Sequence, residues 1–161
     1  STGSSFVLSG VWLREGSLLD DWYVGDFNGD GKDDVARMAG ELFGLQLLFS
    51  NGASFDSGGP FLGFGQGLDR FRIGDFDGDG DDDILRRDAA SCSKVFPVNG
   101  PGPFACRTAT DPGAEGWYVG DFDGDGKDDI LSARRLAVGA RVERSEGAVF
   151  LDAGDWAYDE R

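Results

Sequence analysis

Histidine is absent from the 161 residues, and cysteine occurs only at positions 92 and 106. Without histidine there is no His-based triad or imidazole general base, and no Gly-x-Ser-x-Gly nucleophile elbow occurs. Zinc and copper lose their usual nitrogen ligand, and the two cysteines form no Cys-x-x-Cys pair. No stretch approaches the roughly 18 apolar residues that cross a bilayer. Basic residues are also scarce: 15 Lys and Arg stand against 30 Asp and Glu, a net charge of −15. Such a surface repels nucleic acid and anionic membranes. Paired aspartates could imitate a glycosidase dyad, but the dense aspartate clusters are the three repeated loops. The chain is therefore expected not to be an enzyme.

What the chain has in abundance is glycine, 27 residues, beside 12% aromatics and 40% hydrophobic residues. That combination describes a packed core cut by many tight turns, in a single domain spanning 1–161. One acidic nonapeptide is written three times. It runs Asp26-Phe27-Asn28-Gly29-Asp30-Gly31-Lys32-Asp33-Asp34, then Asp75-Phe76-Asp77-Gly78-Asp79-Gly80-Asp81-Asp82-Asp83, then Asp121-Phe122-Asp123-Gly124-Asp125-Gly126-Lys127-Asp128-Asp129. The copies start 49 and 46 residues apart, which marks a repeat architecture.

Oxygen side chains occupy loop positions 1, 3, 5 and 9, and glycines at positions 4 and 6 allow the tight curl that makes them converge. The carbonyl of position 7 (Lys32, Asp81 or Lys127) can turn inward as a further ligand. Six or seven hard oxygens suit Ca2+, whose coordination at about 2.3–2.6 Å is flexible, better than Mg2+. The simpler alternative is a set of Asp-Gly turns with solvated charges. Three copies in register, each crowding mutually repelling carboxylates, favour three calcium sites. Three bound ions would bring the net charge to about −9. An EF-hand is excluded, because position 12 is Arg37, Arg86 or Ser132 instead of glutamate and the following segments are too short for a helix.

The run Gly-Asp-Phe-(Asp/Asn)-Gly-Asp-Gly-x-Asp-Asp-(Val/Ile) resembles the calcium loop of FG-GAP/VCBS repeats. These repeats form the blades of integrin α-subunit heads, of several fungal and bacterial lectins and of many secreted bacterial proteins. The resemblance covers all three loops and, with flanking strands, nearly the whole chain. It implies that each loop joins the first two strands of a β-propeller blade. It also implies calcium bound through positions 1, 3, 5, 7 and 9: Asp26, Asn28, Asp30, Lys32 and Asp34; Asp75, Asp77, Asp79, Asp81 and Asp83; Asp121, Asp123, Asp125, Lys127 and Asp129. Asn28 stands where the family usually has aspartate and removes one negative charge.

An aromatic strand precedes each loop (22–25, 71–74, 117–120), and a second follows, led by Val35, by Ile84 and Leu85, or by Ile130 and Leu131. Third strands are expected at 44–50, 93–98 and 137–144, and outer ones near 54–57, 104–107 and 148–152. A Gly-Phe signature recurs four times, at Gly3 with Phe6, Gly52 with Phe55, Gly100 with Phe104 and Gly147 with Phe150. The expectation is all-β: three four-stranded antiparallel blades over about 22–60, 71–108 and 117–157, plus an orphan outer strand near 5–13. Three blades are too few to close a propeller. Complementary ends favour head-to-tail association of copies into a ring or filament.

Cys92 and Cys106 would face each other across a hairpin centred on Asn99 and could form a disulfide. Trp22 and Trp117, each four residues before a loop, are expected in the core between blades. Trp12 and Trp156 are freer candidates for stacking on a sugar. Arg86, Arg87, Arg134 and Arg135 fit strand-surface charges better than a clamp for an acidic ligand. Calcium sites of millimolar strength make sense outside the cytosol, and Ser1-Thr2-Gly3 could be a mature N-terminus, so an exported location is expected. The leading functional expectation is a calcium-stabilised, self-assembling structural or binding module. A calcium-dependent lectin or adhesin binding a glycan or extracellular protein, and an accessory domain of a larger secreted protein, are the alternatives.

Overall fold

The computed structural model describes residues 10–13, 21–38, 44–63, 70–87, 92–104, 107–108, 116–133 and 140–156. These residues form three four-stranded antiparallel sheets and, among them, no helix. The first sheet orders β1 (Asp21–Gly25), β2 (Asp34–Met38), β3 (Leu45–Ser50) and β4 (Phe55–Leu62) edge to edge. The second repeats that order with β5 (Arg70–Gly74), β6 (Asp83–Arg87), β7 (Cys92–Phe96) and β8 (Arg107–Thr108). The third does so with β9 (Gly116–Gly120), β10 (Asp129–Ala133), β11 (Ala140–Ser145) and β12 (Phe150–Trp156). Each sheet is thus a meander whose first strand is expected from its aromatic alternation and whose second begins at the ninth loop residue.

The buried apolar side chains of neighbouring sheets meet, so the core of the described residues consists of two layers. Phe27, Ala36, Leu45, Leu47, Phe71 and Ile84 fill the layer between the first and second sheets. Phe76, Leu85, Val95, Phe104, Trp117, Ile130 and Phe150 fill the one between the second and third. Aromatic edges lock both: Tyr23 meets Phe71 at 5.7 Å between centroids, and Phe76 meets Phe150 at 5.8 Å, geometries that add to plain area burial.

Several expectations are corrected. Of the outer strand expected at 104–107, the described residues show Arg107–Thr108 as strand and Phe104 outside it, while 105 and 106 lie outside the described residues. Pro101 and Pro103 remove two backbone donors ahead of it, and Phe104 instead donates its N–H to the Val95 carbonyl at 2.9 Å while its ring enters the core. The hairpin register is offset by two residues, so Cys92 pairs with Thr108 and not with Cys106, which lies outside the described residues. Of the orphan strand, residues 5–9 lie outside the described residues, and Gly10 to Leu13 carry no strand. Trp12 nevertheless stacks on Phe55 of β4 at 5.8 Å. Trp117 is buried as expected, but Trp22 is 43% exposed, because among the described residues no sheet covers its face of β1. Arg134 and Arg135 lie outside the described residues; Arg86 and Arg87 are half-buried on β6.

Candidate metal centre

Each hairpin register pairs the glycine before the loop with the ninth loop residue: Gly25 with Asp34, Gly74 with Asp83 and Gly120 with Asp129. The eight residues between must therefore close on themselves. Positions 4 and 6 do so with positive φ in all three copies: 68° and 79° at Gly29 and Gly31, 79° and 94° at Gly78 and Gly80, 81° and 88° at Gly124 and Gly126. A side chain at these positions would be strained.

The first aspartate organises the curl. Asp121 accepts hydrogen bonds from the backbone N–H groups of Gly124 (2.7 Å) and Asp125 (3.1 Å) on Oδ1 and of Gly126 (3.0 Å) on Oδ2. Asp26 and Asp75 accept from Gly31 and Gly80 in the same way. The ninth residue is the anchor. Asp34 is fully buried and accepts from Phe27 N–H at 3.2 Å and Ser50 N–H at 2.7 Å. Asp129 repeats this with Phe122 (3.2 Å) and Ser145 (2.8 Å). The first and third loops are thereby tied to the ends of their third strands.

Positions 1, 3 and 9 come together. Asp75, Asp77 and Asp83 form one triad and Asp121, Asp123 and Asp129 another, the chosen oxygens of each within 4.8 Å of one another. In the first loop Asn28 replaces the middle carboxylate, leaving Asp26 and Asp34. Position 5 lies outside these triads. Asp30 and Asp125 instead hold the Nζ of Lys32 and Lys127, at 2.5 and 2.7 Å, and those lysine contacts keep both carboxyls below the usual range. Burial, aided by neighbouring carboxylates, pushes Asp34, Asp77 and Asp129 up. It pushes Asp83 up to about 7. A buried carboxylate facing like charges is a group that a divalent cation stabilises. Hard oxygen donors, no nitrogen or sulfur and a loop of adaptable glycines fit calcium.

One role was missed from sequence. The eighth residue contributes to no triad, and in the second and third loops it joins the sheet to its neighbour. Asp82 N–H donates to the Asp26 carbonyl at 2.7 Å, while Asp26 N–H donates to Asp82 Oδ2 at 2.8 Å. Asp128 and Asp75 repeat the pair at 2.7 and 3.1 Å. The signal was present as the Asp-Asp doublet closing each loop, whose first member has no ligand position to fill.

No family model and no curated protein matches the chain. Among solved structures it is similar to that of an Agrocybe aegerita lectin described as recognising non-reducing terminal N-acetylglucosamine, with a TM-score of 0.68 and 21% identity. The likeness covers 87% of this chain but 38% of the lectin chain. At that identity what the two chains share is the fold.

Proposed function

We propose that the chain is an exported, calcium-stabilised binding module of the β-propeller type, one of the FG-GAP/VCBS repeats its loops resemble, and that it acts by recognising glycans and not by catalysis. The observation that carries the calcium reading is the convergence of Asp75, Asp77 and Asp83, and of Asp121, Asp123 and Asp129, around buried ninth-position carboxylates. The ion would be held by positions 1, 3 and 9, with the position 7 carbonyl and position 5 completing the shell, in each of three loops. Its work is structural: it neutralises the triads and fixes the inner hairpin of each blade.

The lectin fold likeness favours a glycan over other ligands, although a fold by itself does not assign a ligand. Trp156, 43% exposed on β12, supplies a ring face suited to a sugar. Calorimetric titration of the chelated protein is expected to find three calcium sites, and a glycan array is expected to give hits that chelator removes. Titration heats of zero would end the calcium reading, and an array blank in calcium would end the glycan reading. A second reading, self-association of copies, is favoured by the uncovered faces of the first and third sheets.

A further inference from the structure

The two boundaries between sheets share three kinds of contact at equivalent positions. At each one the eighth loop aspartate of the later sheet grips the first loop residue of the earlier sheet, Asp82 on Asp26 and Asp128 on Asp75. An aliphatic side chain of the later sheet lies against the glycine before that residue. A Cβ at Gly25 would meet Ile73 Cγ2 at 2.7 Å and Asp82 Oδ2 at 2.6 Å; a Cβ at Gly74 would meet Val119 Cγ1 at 2.6 Å and the Asp128 carboxylate. The third residue of the first strand in the earlier sheet covers an aromatic of the later one: Tyr23 on Phe71, and Arg72 over Trp117 at 4.6 Å. A third-strand hydroxyl adds to the later boundary, where Ser145 Oγ donates to the Phe76 carbonyl at 2.5 Å.

At the two outer faces no sheet of the described residues covers the same groups. On the first sheet Asp33, the equivalent of Asp82 and Asp128, is exposed, and so are Trp22 (43%) and Val24 (61%), the equivalents of Trp117 and Val119. On the third sheet Asp121 is exposed, where Asp26 and Asp75 are half-buried, and Tyr118, the equivalent of Arg72, is 59% exposed. A Cβ at Gly120 would meet only Phe122, at 3.6 Å, an ordinary contact. Each outer face is therefore one half of a boundary the protein already builds twice.

We propose that a second copy of this chain completes that boundary head to tail. Asp33 of one copy grips the N–H and carbonyl of Asp121 in the next, Val24 lies on Gly120, and Tyr118 covers Trp22. The contact is heterologous, since the two faces differ, and it specifies the self-association considered under Proposed function. Burying Trp22, Val24 and Tyr118 supplies the apolar part, and the paired hydrogen bonds fix the register.

Sedimentation of the calcium-loaded full chain across concentration is expected to show reversible association. Gly120→Ala, whose methyl fits the isolated chain but occupies the space of Val24 and Asp33, is expected to weaken it at least tenfold. Asp33→Ala is expected to do the same through the other face, with calcium stoichiometry and circular dichroism unchanged for both. Mixing the two variants is expected to restore one contact, because each retains the face the other lacks. A chain that stays monomeric at every concentration overturns the proposal. Association that neither variant weakens, or that mixing leaves unrestored, overturns this seam while leaving self-association by another surface standing.

Discussion

At the scale of single residues, the loop aspartates divide into those that shape the backbone and those that await charge compensation. Asp121 accepts three backbone N–H groups, whereas Asp123 accepts one, from Asp125 at 3.2 Å, and contacts Arg144. Asp121→Ala is therefore expected to lower stability in both calcium and chelator, by about 1–2 kcal/mol in chelator. Asp123→Ala is expected to cost little in chelator and to lose stability chiefly in calcium, which paired urea titrations resolve. Protonation acts on the ninth position. Burial holds the pKa of Asp83 at about 7 when folded, against 3.8 for an unburied aspartate carboxyl, so the folded chain binds this proton more tightly than the unfolded one. Its contribution in chelator is thus a stability that falls as pH rises from about 4 to about 7. Melting temperatures measured over that range are expected to show this slope in the wild type and a flatter one in Asp83→Asn.

At the scale of strands and loops, the doublet closing each nonapeptide explains why the sheets stack at a fixed offset. The ninth residue turns inward to its own sheet and the eighth outward to its neighbour, as the alternation of an extended strand requires. The glycine before each loop leaves room for that neighbour. Gly74→Ala would press a methyl into Val119 and Asp128, and overpacking of this kind costs about 1–3 kcal/mol. Chemical denaturation is expected to show that loss for Gly74→Ala. In the isolated monomer Gly120→Ala is expected to change stability by no more than about 0.5 kcal/mol. Equal losses at the two positions would mean that the third sheet is covered as the second one is.

At the scale of the whole molecule, the protein is held by two apolar layers and by loops that carry 15 of its aspartates. The candidate metal loops and the packing meet on the same strands, because the buried anchors Asp34, Asp83 and Asp129 each open a second strand whose next residues enter a core layer. Calcium that binds only the folded chain stabilises it by about 2.7 kcal/mol per site at a free concentration of 100 times Kd. The melting temperature is accordingly expected to rise with calcium in calorimetry and to fall back on chelation. An unchanged melting temperature from chelator to millimolar calcium would remove the structural role given to the ion.

The sequence by itself determined the all-β meander, the start of every second strand and the curl of the three loops, because these depend on local chemistry: alternation, glycine at fixed loop positions, and carboxylates two residues apart. Only the tertiary structure decided that the eighth aspartate binds a neighbouring sheet, that Trp117 is buried while Trp22 is exposed, and that Cys92 stands opposite Thr108. Those outcomes depend on which sheet lies against which face and on how two strands slide past each other. Near-identical nonapeptides and similar strands carry no record of either, since a repeat looks the same to its own sequence whether or not a neighbour covers it.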